Sequence, residues 1–243
     1  MNKIISKLLS KIIIITLLTG LTTFSGCRAY ISKDPTNILT KEVLGRTVLL
    51  GTPDFYEIVT NRMEIYNSTT DSWIKIIEGD FTHDLVSPEG DERIRKAMEM
   101  YFGDRPLPKG IYTKLRTRMH VTFKIKGSIS YGDRIYYTTP FTQPFLVNKR
   151  AIALSTTGPA KTGTFTCPAS LRIEEEGFRR WPDPESKLYY LSEYILSPPL
   201  KITKKITAKE LCFKSDPTNT LRFDIKNKMC WPHRPNVSVT VKE

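Results

Sequence analysis

The chain is expected to be mainly β (α+β), an antiparallel sandwich or partly open barrel with two or three short helices. Three observations predict this. Apolar and polar residues alternate with period two through most of Tyr112 to Ile173, the spacing of half-buried strands. Strand-like segments follow one another instead of alternating with helices, which argues against a parallel α/β sheet. No low-complexity linker interrupts the chain, and 40% apolar with 10% aromatic residues argues against disorder, so one folded domain is expected.

Asp34-Pro35 followed by "TNILTKEVLG" predicts a short capped helix ending at Gly45. "TVLLG" and "DSWIKIIEG" predict strands. "SPEGDERIRKAMEMYFG" predicts the clearest helix: Ser87 caps it, Pro88 suits its first turn and carboxylates fill its N-terminal end. Ile94, Ala97, Met98, Tyr101 and Phe102 share one face, and Gly103 stops it. "YGDR" at 131–134 predicts a hairpin turn. "WPDPESKLYYLSEYILSPP" is read as a helix started by Asp183-Pro184-Glu185 and stopped by Pro198, although its Tyr, Leu and Ile content also suits a strand. "TLRFDI" and "VSVTV" alternate as strands, with "SDPTN" as a turn before them.

The N-terminus sets the expected compartment. Lys3, Lys7 and Lys11 precede an apolar run of 13 residues, Ile12 to Phe24, with no acidic residue among them. A run of this length suits an export signal and falls short of the roughly 20 residues that span a bilayer. Phe24-Ser25-Gly26-Cys27 then resembles the lipobox of bacterial lipoproteins, departing from it at Phe24, where that family usually carries Leu. The resemblance covers residues 1–27 only. It implies cleavage by a type II signal peptidase and a diacylated Cys27 as the first mature residue. Two or three acyl chains make a stable membrane anchor where one would not. Arg28 in place of Asp implies the outer membrane; ordinary secretion as a soluble periplasmic protein is the alternative. The expected domains are thus a signal peptide at 1–26, a lipidated cysteine with a tether or short helix at 27–45, and one β-rich domain at 46–243.

The formal charge of +12 is unevenly distributed. Residues 28–104 hold 9 Lys/Arg against 14 Asp/Glu, while residues 105–173 hold 12 Lys/Arg against the single carboxylate Asp133. Within this basic third, "KLRTRMHVTFKIK" at 114–126 alternates closely. Leu115, Thr117, Met119, Val121, Phe123 and Ile125 fall in one phase; Lys114, Arg116, Arg118, His120, Lys124 and Lys126 share the other with Thr122. A strand there would present a line of positive charge roughly 40 Å long. Two readings stand. Lys114, Arg116, Arg118, Lys124 and Lys126 bind a polyanion or an acidic protein partner, or the acidic first third folds across them.

Of the cysteines beyond Cys27, the expected bridge is Cys212–Cys230 with Cys167 buried and reduced, since the first two flank a predicted hairpin. Three scattered histidines and no metal motif lead to an expectation of no metal and no small-molecule cofactor. His83-Asp84 is a weak candidate for a base with its orienting acid, and Arg179 and Arg180 between Phe178 and Trp181 for a stacking site. With no HExxH, GxSxG or SxxK motif, the leading expectation is a lipid-anchored, non-enzymatic envelope protein that binds or scaffolds. Such a protein could serve a secretion, conjugation or surface assembly. An anchored envelope hydrolase is the alternative.

Overall fold

The computed structural model describes residues 39–43, 46–146 and 149–242, so Cys27 and the expected export signal lie outside the described residues. The chain begins with β1 (Leu39–Val43), β2 (Arg46–Gly51), β3 (Phe55–Asn67) and β4 (Ser72–Asp84). The helix α1 (Pro88–Phe102) leads to β5 (Pro106–Leu107), β6 (Gly110–His120), β7 (Thr122–Lys126), β8 (Ser128–Tyr131), β9 (Arg134–Leu146), β10 (Lys149–Ser155) and β11 (Gly163–Thr166). β12 (Ile173–Glu175), β13 (Phe178–Pro182), β14 (Tyr189–Ile202) and β15 (Ile206–Thr207) follow. A 3-10 turn (Ala208–Glu210) precedes β16 (Leu211–Asp216), β17 (Leu221–Asp224), β18 (Met229–Pro232) and β19 (Asn236–Val241).

Fifteen of these strands form one curled antiparallel sheet, a half-barrel whose order runs β1-β2-β17-β18-β10-β11-β7-β3-β6-β14-β13-β12. The mainly β expectation holds, as a curled sheet with one α-helix among the described residues. β4 joins β3, and β8 and β9 extend from β10. The two-stranded sheet β16–β19 stands apart from this sheet, in full register from Leu211↔Val241 to Asp216↔Asn236. Two apolar cores result. One gathers Phe123, Ile125, Ile152, Leu221 and Phe223. The other packs Ile94, Met98 and Phe102 of α1 against Ile76, Leu115 and Phe213.

Local signals explain α1. Ser87 Oγ accepts from Glu89 N at 3.2 Å, Pro88 occupies the start, and Gly103 ends the helix at φ 63°. Ile94, Met98 and Phe102 are buried as their spacing requires, whereas Tyr101 lies at the exposed edge. Gly90 is needed for close approach: a Cβ there would stand 2.0 Å from the Asp84 carbonyl oxygen, so the first turn of α1 is pressed onto the end of β4. The 131–134 turn also forms, with Tyr131 opposite Arg134 and Gly132 at φ 63°.

Two expected helices are strands instead. Residues 39–43, expected within a helix, form β1, which pairs residue by residue with β2 from Leu39↔Leu50 to Val43↔Arg46. A ladder on a sheet edge outweighs a local capping signal. The second segment, after Trp181, becomes β14, paired with β13 on one side and β6 on the other. Its start signal is put to another use: Asp183 Oδ1 accepts from Glu185 N at 3.0 Å, closing a turn rather than a helix. Tyr190, Ser192, Tyr194 and Leu196 then bury one face at period two.

Candidate functional site: the interior of the curled sheet

The basic stripe occupies β6 and β7 in the expected phase. Leu115, Met119, Val121, Phe123 and Ile125 are buried, and the cations point outward. Four of the five are engaged by carboxylates, two of which come from the acidic first third. Arg116 Nε lies 2.8 Å from Glu64 Oε2, and Lys124 Nζ lies 2.9 Å from Glu57 Oε1. Both carboxylates sit directly opposite their partners on β3. Lys114 reaches Glu193 at 3.4 Å, and Arg118 reaches Asp183 at 2.6 Å. Aromatic rings complete the cover: Arg116 lies 4.1 Å from the Trp73 centroid and Arg118 4.4 Å from that of Tyr189. Of the five, Lys126 alone makes no ion pair among the described residues. Long-range strand pairing thus delivers carboxylates that no neighbouring sequence supplies.

The expected Cys212–Cys230 bridge is not formed. Cys230 is a free, buried thiol on β18 opposite Phe223, and burial pushes its pKa well up. Cys212 sits on β16, which leaves this neighbourhood to pair with β19, so the two cysteines do not share a hairpin. Cys167 is free and buried, as expected. His83 and Asp84 do not act together. The Asp84 carboxylate accepts from the Tyr56 and Val86 amides, at 2.9 and 3.0 Å, while His83 is buried and its Nδ1 has no hydrogen-bond partner among the described residues.

His83 faces a different feature. Between the curled sheet, the two-stranded β16–β19 sheet and Ile94 of α1 lies a cavity of about 530 Å³. Its wall is largely apolar, built from residues such as Met63, Leu115, Met119, Phe123, Phe178 and Phe213. β3, β6, β7, β13 and β14 contribute their inward phases, which curling turns toward a common interior. The lining residues that remain exposed, Lys41 and Glu175, mark the mouth, together with half-buried His233 and Arg234.

Polar groups in this interior are few and incompletely paired. Four buried side-chain atoms lack a hydrogen-bond partner among the described residues: Arg62 Nε, His83 Nδ1, Arg180 Nε and Arg222 Nη1. The last three belong to cavity-lining residues. Buried polar groups are nearly always satisfied, so three orphans around one cavity are informative. Arg180 donates to Cys167 Sγ at 2.8 Å and to the Pro168 carbonyl at 3.1 Å, and its guanidinium lies 3.6 Å from the Tyr190 centroid. Tyr56 donates to the His233 carbonyl at 3.2 Å. Burial raises the pKa values of Tyr56 and Tyr190 and pushes Tyr194 up to about 12, keeping the phenols neutral. Burial also depresses Arg222, with Glu175 acting in the opposite sense.

Burial lowers the His83 pKa from 6.5 to about 4, and the charge of Arg93 acts in the same direction. Between these values the unfolded chain takes up a proton that the folded chain refuses. Stability therefore falls as pH drops through this window, by up to about 3 kcal/mol, and the loss saturates below it. Asp91, raised to about 6 by burial, titrates in the opposite sense, so wild type is to be compared with His83→Gln, which retains Asp91. The expected result is an imidazole titrating near 4 by NMR and a weaker acid-side loss of stability in the variant. A midpoint near 6.5 would place His83 in water.

Arg180 shares the inward phase of β13 with Phe178, while Arg179 points out, so strand phase is a signal separating the two. Arg222 carries no comparable signal, because all four residues of β17 are buried. Among the described residues no group of three or more His, Cys, Asp or Glu is placed to hold a metal ion, and no helix is long and apolar enough to cross a membrane. Comparison with protein-family models, curated proteins and solved structures found no match.

Proposed function

We propose that this chain is a lipid-anchored, non-enzymatic envelope protein that binds an apolar ligand inside its curled sheet. The anchor is Cys27, read from Ser25-Gly26-Cys27 behind the charged and apolar export signal, and the location is the outer membrane. The binding reading rests on one observation: an apolar cavity of about 530 Å³ whose buried polar atoms on His83, Arg180 and Arg222 await partners. Ligand cavities of this kind run from about 300 to 1,000 Å³ and combine apolar walls with a few placed polar groups. The outward cations of β6 and β7 are engaged in ion pairs, which moves the binding function from the outer face to the interior.

The full chain, produced with its export signal and purified from membranes into lipid nanodiscs, should bind the apolar fluorophore N-phenylnaphthylamine beyond the level of empty discs. Thr117 lines the cavity, and Thr117→Phe should abolish that binding while unfolding stays cooperative. Absence of binding by wild type would overturn the cavity reading. The anchor has its own test: Cys27→Ala should leave unprocessed precursor, and a mature, lipid-free chain starting at Tyr30 would show ordinary secretion instead.

A further inference from the structure

We infer that the ligand is a single-chain amphiphile whose anionic head seats on Arg222 beneath the mouth of the cavity, with its tail directed toward Met119 and Phe123. This inference rests on the cavity-binding reading above and adds the chemistry of the head group.

Arg222 is 5% exposed, and its Nη1 is buried without a hydrogen-bond partner among the described residues. An arginine held out of water needs an anion or a set of acceptors. Its own strand does not supply one. Asp224, two residues along β17, is bound by Arg46 at 3.0 Å and by Asn227 at 2.7 Å. Glu175 is the carboxylate that acts on Arg222, yet it is already shared by Arg234 at 3.5 Å and His233 at 3.8 Å. Lys41 adds another cation to the same rim. Among the described residues the mouth therefore holds Lys41, Arg222 and Arg234 against one carboxylate, with His233 beside them, above a cavity whose wall is largely apolar.

This asymmetry selects among ligands. A wholly apolar molecule would fill the interior but leave Arg222 desolvated and unpaired. A compact polar anion would pair with Arg222 but leave the apolar wall unused. An amphiphile with a carboxylate or phosphate head satisfies both. Arg180 is a poorer seat, because two of its three nitrogens are engaged by Cys167 and Pro168 and its guanidinium is stacked on Tyr190.

The test uses the full chain in nanodiscs, with empty-disc binding subtracted, and three competitors of equal chain length: dodecanoate, dodecyl phosphate and dodecanol. Each competes with N-phenylnaphthylamine. Both anions should bind at least about tenfold more tightly than dodecanol, as expected for a charge-assisted hydrogen bond formed out of water. The ratio of dodecanoate to dodecyl phosphate affinity distinguishes a carboxylate from a phosphate source. Arg222→Gln should bring the anion-to-alcohol ratio close to one and leave dodecanol affinity unchanged. Equal wild-type affinity for all three, or an undiminished anion preference in Arg222→Gln, would overturn the head-group inference and leave the cavity reading intact. Failure of all three to compete with bound N-phenylnaphthylamine would overturn the single-chain amphiphile inference, whereas the cavity reading fails only if N-phenylnaphthylamine itself does not bind. If Arg222→Gln does not fold, the rim variant Lys41→Gln/Arg234→Gln keeps the question open to measurement. Its anion preference should fall about threefold, the scale of partly exposed ion pairs, and an unchanged preference would overturn placement of the head at the mouth.

Discussion

Replacing Arg118 by alanine is expected to destabilise the chain by about 3–5 kcal/mol, the cost of removing one partner from a buried ion pair. The Asp183 side chain is 1% exposed, and its Oδ2 accepts from Arg118 Nε at 2.7 Å and lies 2.6 Å from Nη2. Arg118 Nη1 also donates to Asn61 Oδ1 at 2.7 Å, so one guanidinium ties β6 to β3 and to the loop after β13. Without it a carboxylate is left in a low-dielectric pocket with one backbone amide, that of Glu185, as its remaining hydrogen bond. Lys124→Ala provides the contrast. Its side chain is 57% exposed, and losing such a surface pair should cost about 1 kcal/mol or less. Chemical denaturation of both variants checks the difference. Equal, small losses would show that Asp183 is solvated and that the outer ion pairs contribute little.

Phe223→Ala should be comparably severe, also about 3–5 kcal/mol, through lost burial and the cavity left behind. Phe223 is 0% exposed on β17, opposite Leu49 of β2 and Cys230 of β18. Its ring lies against Gly51, where an added Cβ would stand 2.7 Å from Phe223 Cε2. Backbone on that side is already at closest approach, so the site has little room to collapse. Phe141, 72% exposed on β9, is the control, and its replacement should change stability by no more than about 0.5 kcal/mol. Thermal unfolding of the two variants separates a packed core position from a surface one. A mild effect at Phe223 would mean that β2, β17 and β18 do not form a rigid part of the sheet.

Segments whose structure follows from neighbouring residues were legible. The helix α1 carries its own cap, first-turn proline, apolar face and terminating glycine. The 131–134 turn and the alternation of 114–126 are equally local. Reading failed where local signals conflicted with long-range pairing. Leu39–Val43 follows the helix-start signal Asp34-Pro35 and β14 follows Asp183-Pro184-Glu185, yet each became a strand because neighbouring strands offered a ladder.

The sequence by itself determined which side chains of β6 and β7 face inward, because strand phase depends only on alternation. What stands opposite the outward cations was decided by the tertiary structure alone. Glu57 and Glu64 arrive from β3, and Glu193 and Asp183 from β14 and the loop before it, through pairings that span 52 to 79 positions. The cavity has the same origin. Tyr56, Arg180, Arg222 and His233 converge only because a sheet of fifteen strands curls on itself. Curvature is a property of the assembled sheet, arising from accumulated strand twist and side-chain packing, and no single strand encodes it.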